Sequence, residues 1–526
     1  MKKIHGAPFS HDSRKRTFRA IIPAFVAYAA IVFAGSFFHA MWRDELHPWA
    51  MAAAATDLAG LFRLKAVEGH PDLWYILVYA VRQFTANPAW LQMLHAGIAA
   101  CTAWLTLRYA PFPPVQRILL VFGYFYIFEY AMITRNYAPG ILLTTLFLVL
   151  YPARNRHFLL LTAILALLAQ FSVFGLILSG ALFITLSSEW ILQFPGNEKP
   201  VNASLKVAGT LLYTVAAAWS VSRVIPSPEA YFAGSASFSF SQMTLRETLR
   251  SLAIVWDAWV PLPMPGPGFW GTNLVGQPNV AAGLSLLLIM AAGAWFSGNL
   301  RVQILFFTGM AGIIGFVLMF YYGYLRHHGH LFILLAACMW LSEALPENSS
   351  KPGRSGFAKL TAFLRRHRGV AFTVILLVQL IAGLYAVAEQ TRIPFSASRE
   401  TAQYISKNRL DRFLIAGDQD IALEPVAACL GRNVFFFSRN AMSGYLVYDT
   451  TRKIPAKERV IRMADSLVNS RGDTILLVMN GPVQAKPMNH LRALAAFTRS
   501  GRPDEKYYLY TLSPSHRIRH AANPEP

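Results

Sequence analysis

Long apolar segments recur along the chain from about residue 18 to residue 388, separated by short basic turns. A helix needs about 20 apolar residues to cross the roughly 30 Å hydrocarbon core of a bilayer. The pattern therefore predicts a polytopic α-helical membrane protein with about 11 spans, which form a domain over residues 1–390. The predicted spans are about 18–40, 88–107, 117–134, 138–152, 158–173, 175–193, 204–223, 278–297, 302–321, 331–345 and 370–388.

The apolar segment 73–84 is too short to be one of these spans. Its twelve residues make roughly 18 Å of helix, and they include Arg82. We predict a helix that lies on the outer membrane surface. With this segment outside the count, the basic N-terminus (Lys2, Lys3, Arg14) and the basic loop 351–368 fall on the same side. The positive-inside tendency then predicts a cytoplasmic N-terminus and an external C-terminus.

After about residue 390 the apolar runs shorten to strand length and alternate with amphipathic helical stretches. This alternation predicts a small extracytoplasmic α/β domain over residues 391–526. The predicted strands are 413–417, 434–437, 474–478 and 507–510, and the predicted helices are 455–469 and 488–499. No catalytic motif is visible here. Asp418 and Asp420 follow a strand, and solvated loop carboxylates are favoured over a binding site.

The composition sets limits on partners and cofactors. The chain has 526 residues, a hydrophobic fraction of 55% and a formal net charge of +21. In a soluble protein such a charge would suggest nucleic acid, but here it agrees with membrane topology, so we expect membrane lipids and no nucleic acid as partners. Three scattered cysteines are too few for a disulfide framework or a zinc site.

The predicted topology brings four polar clusters to the outer face. They contain Arg43, Asp44, Glu45 and His47, then Glu68, His70 and Asp72, then Glu129, Arg135 and Tyr137, and finally Arg326, His327, His328 and His330. Each has a plain alternative: a helix end in headgroup water, a His-Pro turn, an arginine that reaches the headgroups, or interfacial histidines without a metal. Charged groups near spans are costly to desolvate and tend to face a cavity, so convergence of all four favours a functional site.

The residue types suit transfer of a group carried on a lipid phosphate. A carboxylate can act as general base on an acceptor hydroxyl or amine, and arginines match a phosphate leaving group in charge and geometry. The chain contains no Walker-type glycine-rich loop and no H-E-x-x-H motif.

Three segments resemble the GT-C class of integral-membrane glycosyltransferases. They are WRDELHPW after the first span, EGHPDLWYILVYAVRQF, and FEYAMITRNYAPG. The pattern is most similar to protein O-mannosyltransferase-like and lipid A aminoarabinose transferase-like enzymes. It covers residues 20–155 well, and the hydropathy to residue 390 only loosely.

The resemblance implies a GT-C fold and an inverting transfer of a hexosyl or pentosyl group from a polyprenyl-phosphate-linked donor on the periplasmic side of a bacterial inner membrane. It implies Asp44 as the catalytic base, with Glu45 in support. The substrate-binding residues that the resemblance implies are His70, Arg135, Tyr137 and Arg326, and the outer polar clusters add Arg43, Glu129 and His327 as candidates. The sequence departs from the pattern at Asp72, where a second proline is usual, and at Ile133, where a glutamate is usual; Glu129 is the candidate substitute.

The acceptor class stays open among a glycolipid, a polysaccharide and a protein, and a divalent metal stays possible. The main alternative function is a transporter or flippase for a lipid-linked substrate. Transporters tend to show repeated halves and broken spans near the midplane, and the sequence shows no repeat. A non-enzymatic scaffold would give no reason for Asp44, His70 and Arg326.

Overall fold

The computed structural model describes residues 11–192, 201–231, 244–347, 355–483 and 490–514, with side chains from residue 21 onward. Lys2, Lys3 and part of the basic loop 351–368 lie outside the described residues. Up to residue 392 the described chain is helical, and a mixed sheet follows it. The helices are α1 (His11–Phe38), α2 (Arg43–Ala54), α3 (Leu58–Lys65), α4 (Leu73–Phe84), α5 (Ala89–Tyr109), α6 (Pro114–Val121), α7 (Tyr137–Leu150), α8 (Phe158–Leu168), α9 (Val173–Ile191), α10 (Ala203–Val224), α11 (Leu245–Trp259), α12 (Pro278–Trp295), α13 (Leu300–Met319), α14 (Leu325–His328), α15 (His330–Ala344), α16 (Gly356–Arg392), α17 (Ser398–Lys407), α18 (Asp420–Leu430) and α19 (Lys457–Arg471).

The protein is a polytopic α-helical membrane protein. Within the described ranges, 6 helices are long and apolar enough to cross a bilayer: Ile21–Phe38, Val173–Ile191, Ala203–Val224, Pro278–Trp295, Leu300–Met319 and Gly356–Arg392. The other five predicted spans fall on helices that are shorter or less apolar. Among these, α15 is buried along almost its whole length, so protein neighbours shield it on all sides.

The third predicted span, 117–134, is not one helix. Helix α6 ends at Val121, a π-helical turn follows over Phe125–Glu129, and irregular turns continue to Tyr137. Gly383 of α16 explains why this break packs well, because a Cβ there would lie 2.7 Å from the carbonyl oxygen of Phe122. π-Turns inside helices occur often at functional sites.

Two predicted loops are largely helical. The basic segment 351–368 becomes the first turns of α16 from Gly356, and its Arg368 pairs with Glu343 in the last turn of α15 and with Glu347 just after that helix. At 37 residues, α16 extends well beyond the hydrocarbon core. The predicted loop between spans seven and eight contains α11, which packs along α12.

Helices also replace the predicted first external loop. Residue Arg43 begins α2, so the Arg-Asp-Glu cluster starts a helix and does not terminate the first span. The short helix predicted over 73–84 is confirmed as α4. It is amphipathic, with Trp74 and Val78 buried and Phe84 exposed.

The C-terminal sheet has six strands in the described ranges, in the order β3-β2-β1-β4-β6-β5. The strands are β1 (Leu414–Gly417), β2 (Val434–Phe436), β3 (Ala441–Ser443), β4 (Ile475–Met479), β5 (Leu491–Phe497) and β6 (Tyr507–Leu512). All four predicted strands and the helix 455–469 are present. The helix predicted over 488–499 is wrong in its described part, which forms strand β5. The alanine-rich sequence favours a helix, but antiparallel pairing with β6 overrides that preference.

The sheet domain packs on α2, in the segment that follows α1. Helix α18 packs against α2, and Ala428 and Cys429 join an apolar cluster with Leu46 and Trp49. The start of α2 is therefore held between the helical body and the sheet domain.

We predict that α4 and the sheet domain share the external side of the membrane. In a chain whose Cys101, Cys338 and Cys429 are replaced, Phe84→Cys should react with a membrane-impermeant maleimide in intact spheroplasts, because Phe84 is 90% exposed. Lys359→Cys on α16 is the matched control and should react only after lysis. Labelling of Lys359→Cys in intact spheroplasts would reverse the orientation.

Candidate active site

The Glu45 side chain is fully buried and connects three segments of the chain at the site. Its Oε1 accepts the backbone N–H of Thr134 at 2.6 Å, and its Oε2 accepts the backbone N–H of Trp42 at 3.1 Å. The Nε2 atom of His39 lies 2.8 Å from the same Oε2. A glutamate at the third helical position that binds the N-cap N–H is a helix-capping arrangement. Glu45 thus joins the end of α1, the start of α2 and the broken third span, and its side chain is fully buried.

Asp44, one residue earlier, turns toward arginines. Arg135 Nη1 and Arg326 Nη2 each lie 3.1 Å from Asp44 Oδ2, and Arg43 Nε lies 3.8 Å from Oδ1. Arg135 Nη1 also donates to the Asp44 carbonyl oxygen at 2.7 Å. The carboxylate remains 24% exposed, so a ligand can reach it. Its position in the first turn of α2 favours the ionised form through the helix dipole.

The electrostatics of Asp44 follow from these contacts. Burial works to raise the pKa of its carboxyl, but the guanidinium groups of Arg135, Arg326 and Arg43 outweigh burial and lower the pKa below the usual 3.8. Asp44 is therefore ionised at neutral pH, and in the unliganded protein it is a weak base.

Two tryptophans and a tyrosine hold the arginines in place. The Arg326 guanidinium carbon lies 5.3 Å from the ring centroids of both Trp42 and Trp270, and 4.5 Å from that of Tyr324. On the same two tryptophans, Arg502 of the sheet domain lies 4.9 Å from each centroid. Cation–π contacts restrict the planes of both guanidinium groups.

The sheet domain also closes the site over Arg43. The Arg43 Nη1 lies 2.5 Å from Asp504 Oδ2, and Arg502 Nη2 lies 3.1 Å from Asp504 Oδ1. The backbone N–H of Arg43 donates to Glu505 Oε1 at 3.0 Å. Burial raises the pKa of Glu505 to about 7, although Arg43 opposes that shift.

Glu129, Tyr137 and His327 form the inner wall. The Glu129 Oε2 accepts bonds from Tyr124 Oη at 2.8 Å and Trp270 Nε1 at 2.7 Å. Tyr137 lies against Arg135 and edge-on to His327. His327 Nδ1 accepts the N–H of Tyr324 at 2.9 Å and its ring stacks on Phe174, so these contacts fix the orientation of the imidazole.

A second polar group lies on the α4 side of Asp44. His47 bridges two carboxylates, with Nδ1 2.7 Å from Glu424 Oε1 and Nε2 3.1 Å from Glu68 Oε1. Burial opposes the charge, but Glu424 and Glu68 raise the pKa of His47 well above 6.5. His70 lies beside this group, where its Nδ1 donates to the Glu68 carbonyl oxygen at 2.7 Å.

Asp72, at the position where the resemblance expects proline, is an ion-pair centre. Its Oδ1 lies 2.8 Å from Lys65 Nζ and 3.0 Å from Arg223 Nε. This cluster fixes the start of α4 against α10 and takes no part in the arginine site.

The structure thus brings Arg43, Asp44, Arg135 and Arg326 into mutual contact, places Glu129 and Tyr137 directly behind them, and sets His70 to one side. Sequence reasoning missed Trp42, Trp270, Arg502 and Asp504. Trp42 was visible as the neighbour of Arg43, whereas Arg502 lies 459 positions beyond Arg43 in a segment without a motif. Asp418 and Asp420, interpreted as solvated, are both buried, and Asp420 pairs with Arg452.

The possible divalent metal finds no support in the geometry. Among the residues that the structure describes, no group of three or more His, Cys, Asp or Glu side chains is arranged to hold a metal ion. The ligands nearest Asp44 are guanidinium groups, which do not bind cations.

Comparison with known proteins adds little. No family model matches the chain, and no curated protein matches it. A search of solved structures finds the crystal structure of ArnT from Cupriavidus metallidurans bound to undecaprenyl phosphate, at a TM-score of 0.46 and 12% identity, over 93% of this chain and 97% of that one. A likeness at this level carries no inference about site residues, substrate or reaction.

We predict that Glu505 makes the protein less stable as pH rises. Its pKa is about 7 in the folded protein against an ordinary value of 4.5, so stability present at low pH is lost between these values. The full effect above pH 7 is about 3 kcal/mol. Glu505→Gln keeps an acceptor for the Arg43 N–H and should raise the melting temperature in detergent at pH 8 but hardly at pH 5.

The exposed Glu458→Gln in α19 is the matched control, with no pH-dependent difference expected. An equal gain for Glu505→Gln at both pH values would contradict the assignment.

Proposed function

We propose that this chain is a membrane glycosyltransferase of the GT-C class. It would move a sugar from a polyprenyl-phosphate-linked donor to a glycolipid, polysaccharide or protein acceptor on the side of the membrane that carries the sheet domain. The observation that carries the proposal is one reachable carboxylate, Asp44, in contact with three arginines at the end of a bundle of apolar helices. The motifs around these residues resemble those of the same class.

The arginines are the phosphate-binding groups of the proposal. Arg135 and Arg326 already share one anionic oxygen of Asp44, so they are spaced and oriented for an oxyanion. A phosphate oxygen offers the same charge to the same N–H donors, and guanidinium groups match it in geometry. Helices with exposed apolar surfaces surround the site, which suits a donor whose lipid tail stays in the bilayer.

Asp44 acts as the general base. The acceptor oxygen or nitrogen attacks the anomeric carbon, its proton passes to the Asp44 carboxylate, and the bond to the donor phosphate breaks with its electron pair on the phosphate oxygen. Attack from the side opposite the phosphate inverts the anomeric configuration. A donor phosphate competes with Asp44 for Arg135 and Arg326, and this competition raises the basicity of Asp44 when it is needed.

The other candidate residues have supporting roles in this scheme. Glu45 positions Asp44 and Arg135 through its bonds to Trp42 and Thr134. Glu129 orients Trp270, and Tyr137 supports Arg135. His70 and the neighbouring His47 lie to the α4 side of Asp44, the side on which we place the acceptor.

We predict that Asp44→Asn lowers sugar transfer by about 10²- to 10⁴-fold, because the amide cannot accept the proton. The measurement is release of polyprenyl phosphate by purified protein from a panel of polyprenyl-phosphate sugars, with an envelope extract as acceptor. Asp57→Asn is the matched control: Asp57 caps α3, and asparagine caps equally well. Full transfer by Asp44→Asn would remove Asp44 from the role of base.

We further predict that Glu45→Gln lowers activity because it destabilises the fold. An amide nitrogen in place of one oxygen would face the N–H of Trp42 or of Thr134, so a buried donor loses its acceptor, at a cost of about 1–3 kcal/mol. The melting temperature of Glu45→Gln should fall together with its activity. Loss of activity in Glu45→Gln at an unchanged melting temperature would indicate a direct catalytic role.

A further inference from the structure

Arg502 is a cation of the sheet domain that the proposed reaction has not used. It belongs to the loop before β6, yet its guanidinium carbon lies 4.9 Å from the ring centroids of Trp42 and Trp270, the same two rings that Arg326 contacts. Its charge is also felt by Asp44, whose pKa it helps to lower. Two guanidinium groups from distant parts of the chain therefore contact the same pair of rings, Trp42 and Trp270, which form an aromatic platform.

Both arginines have an N–H group without an acceptor. The Nε atoms of Arg326 and Arg502 are buried and have no hydrogen-bond partner. The Arg326 side chain is only 8% exposed, so solvent cannot satisfy it freely. A buried donor without an acceptor costs about 1–3 kcal/mol, which an anion between the two groups would recover.

The local charge favours an anion strongly. Within the described part of the chain, the side-chain ion pairs of four guanidinium groups (Arg43, Arg135, Arg326 and Arg502) are made with two carboxylates, Asp44 and Asp504, while the Glu505 carboxylate accepts the backbone N–H of Arg43. The excess of two positive charges matches a phosphate monoester, which carries between −1.5 and −2 at neutral pH, better than it matches a diester with a single charge. In the proposed reaction the diester is the donor and the monoester is the leaving product.

An apolar cleft adjoins the platform. It is lined in part by Phe269, Ile393 and Phe395, and it includes Trp270 and Gly501, the residue before Arg502. The cleft lies at the end of the long helix α16, between it and the sheet domain. Glu389 and Gln390 also line the cleft, and an apolar chain attached to the anion would leave the platform on this side.

Building on the proposed function, we infer that Arg502 and Arg326 form a two-arginine clamp on the Trp42–Trp270 platform that binds the phosphate of a polyprenyl phosphate, with preference for the monoester product. The sheet domain thereby supplies part of the donor site. Because an interaction that strengthens as charge moves onto the leaving oxygen lowers the barrier, the clamp assists departure of the phosphate. Arg502 is then a substrate-contacting residue.

The test measures binding of a polyprenyl monophosphate to the purified full-length protein by calorimetry, with the matching uncharged polyprenol and inorganic phosphate as further probes. Arg502→Gln should weaken binding of the lipid phosphate by about tenfold or more, since a charge-assisted bond is lost. Arg502→Lys should recover part of the affinity. The exposed Arg492→Gln on β5 is the matched control and should bind like the unchanged protein.

Asp504→Asn separates ligand binding from a structural role. It removes the carboxylate that Arg502 and Arg43 share but keeps both cations. The clamp predicts tighter lipid-phosphate binding in Asp504→Asn and weaker binding in Arg502→Gln. A merely structural ion pair predicts the same loss in both variants and would overturn the inference.

The remaining outcomes distinguish the two proposals. If the unchanged protein binds no polyprenyl phosphate, the proposed function fails and the clamp fails with it. If it binds and Arg502→Gln binds equally well, only the clamp fails. Equal affinity for inorganic phosphate would assign the clamp to a free anion and overturn its lipid assignment.

Discussion

The enclosed carboxylate of Glu45 is the constraint on which the site depends. Its oxygens accept hydrogen bonds from the backbone N–H groups of Trp42 and Thr134. Both N–H groups lie between helices, where no helical carbonyl oxygen is available to accept them. Because Asp44 precedes Glu45 and Arg135 follows Thr134, the same carboxylate brings Asp44 and Arg135, the proposed base and a proposed phosphate-binding residue, into contact. The pairing of Arg135 with both the carboxylate and the carbonyl of Asp44 is a direct consequence.

The sheet domain completes the site as well as covering it. His47 joins Glu424 on α18, Arg43 joins Asp504, and the backbone of Arg43 joins Glu505. These contacts are buried or half-buried, so removing one partner should lower the free energy of unfolding more than breaking a surface ion pair would. If the sheet domain served only to bind a partner protein, these contacts with Arg43 and His47 of α2 would not be needed.

The sequence predicted those parts of the fold that depend on local pattern. Hydropathy located α1, α4, α9, α10, α12 and α13 to within a few residues, and strand-length runs located β1, β2, β4 and β6. It failed where tertiary packing decides: the break after Val121 depends on the approach of Gly383, and β5 depends on pairing with β6. Arg43, Asp44, Arg135 and Arg326 were identified through short motifs and topology. Arg502 and Trp270 could not be found in this way, because contacts across hundreds of residues leave no local pattern.

The arrangement of charges explains why a carboxylate paired with arginines can still serve as base. In the resting site the arginines neutralise Asp44, which lowers its pKa and its basicity. In the proposed transfer a proton arrives on Asp44 while a negative charge arrives on the phosphate oxygen, so the total charge facing the arginines does not change. The guanidinium groups then exchange the Asp44 carboxylate for a phosphate oxygen at nearly the same place. Trp42 and Trp270 hold the Arg326 guanidinium in position during this exchange. Preorganised donors of this kind avoid the reorganisation that water would require, and the four-arginine cluster is more consistent with phosphate departure than with simple neutralisation of a single aspartate.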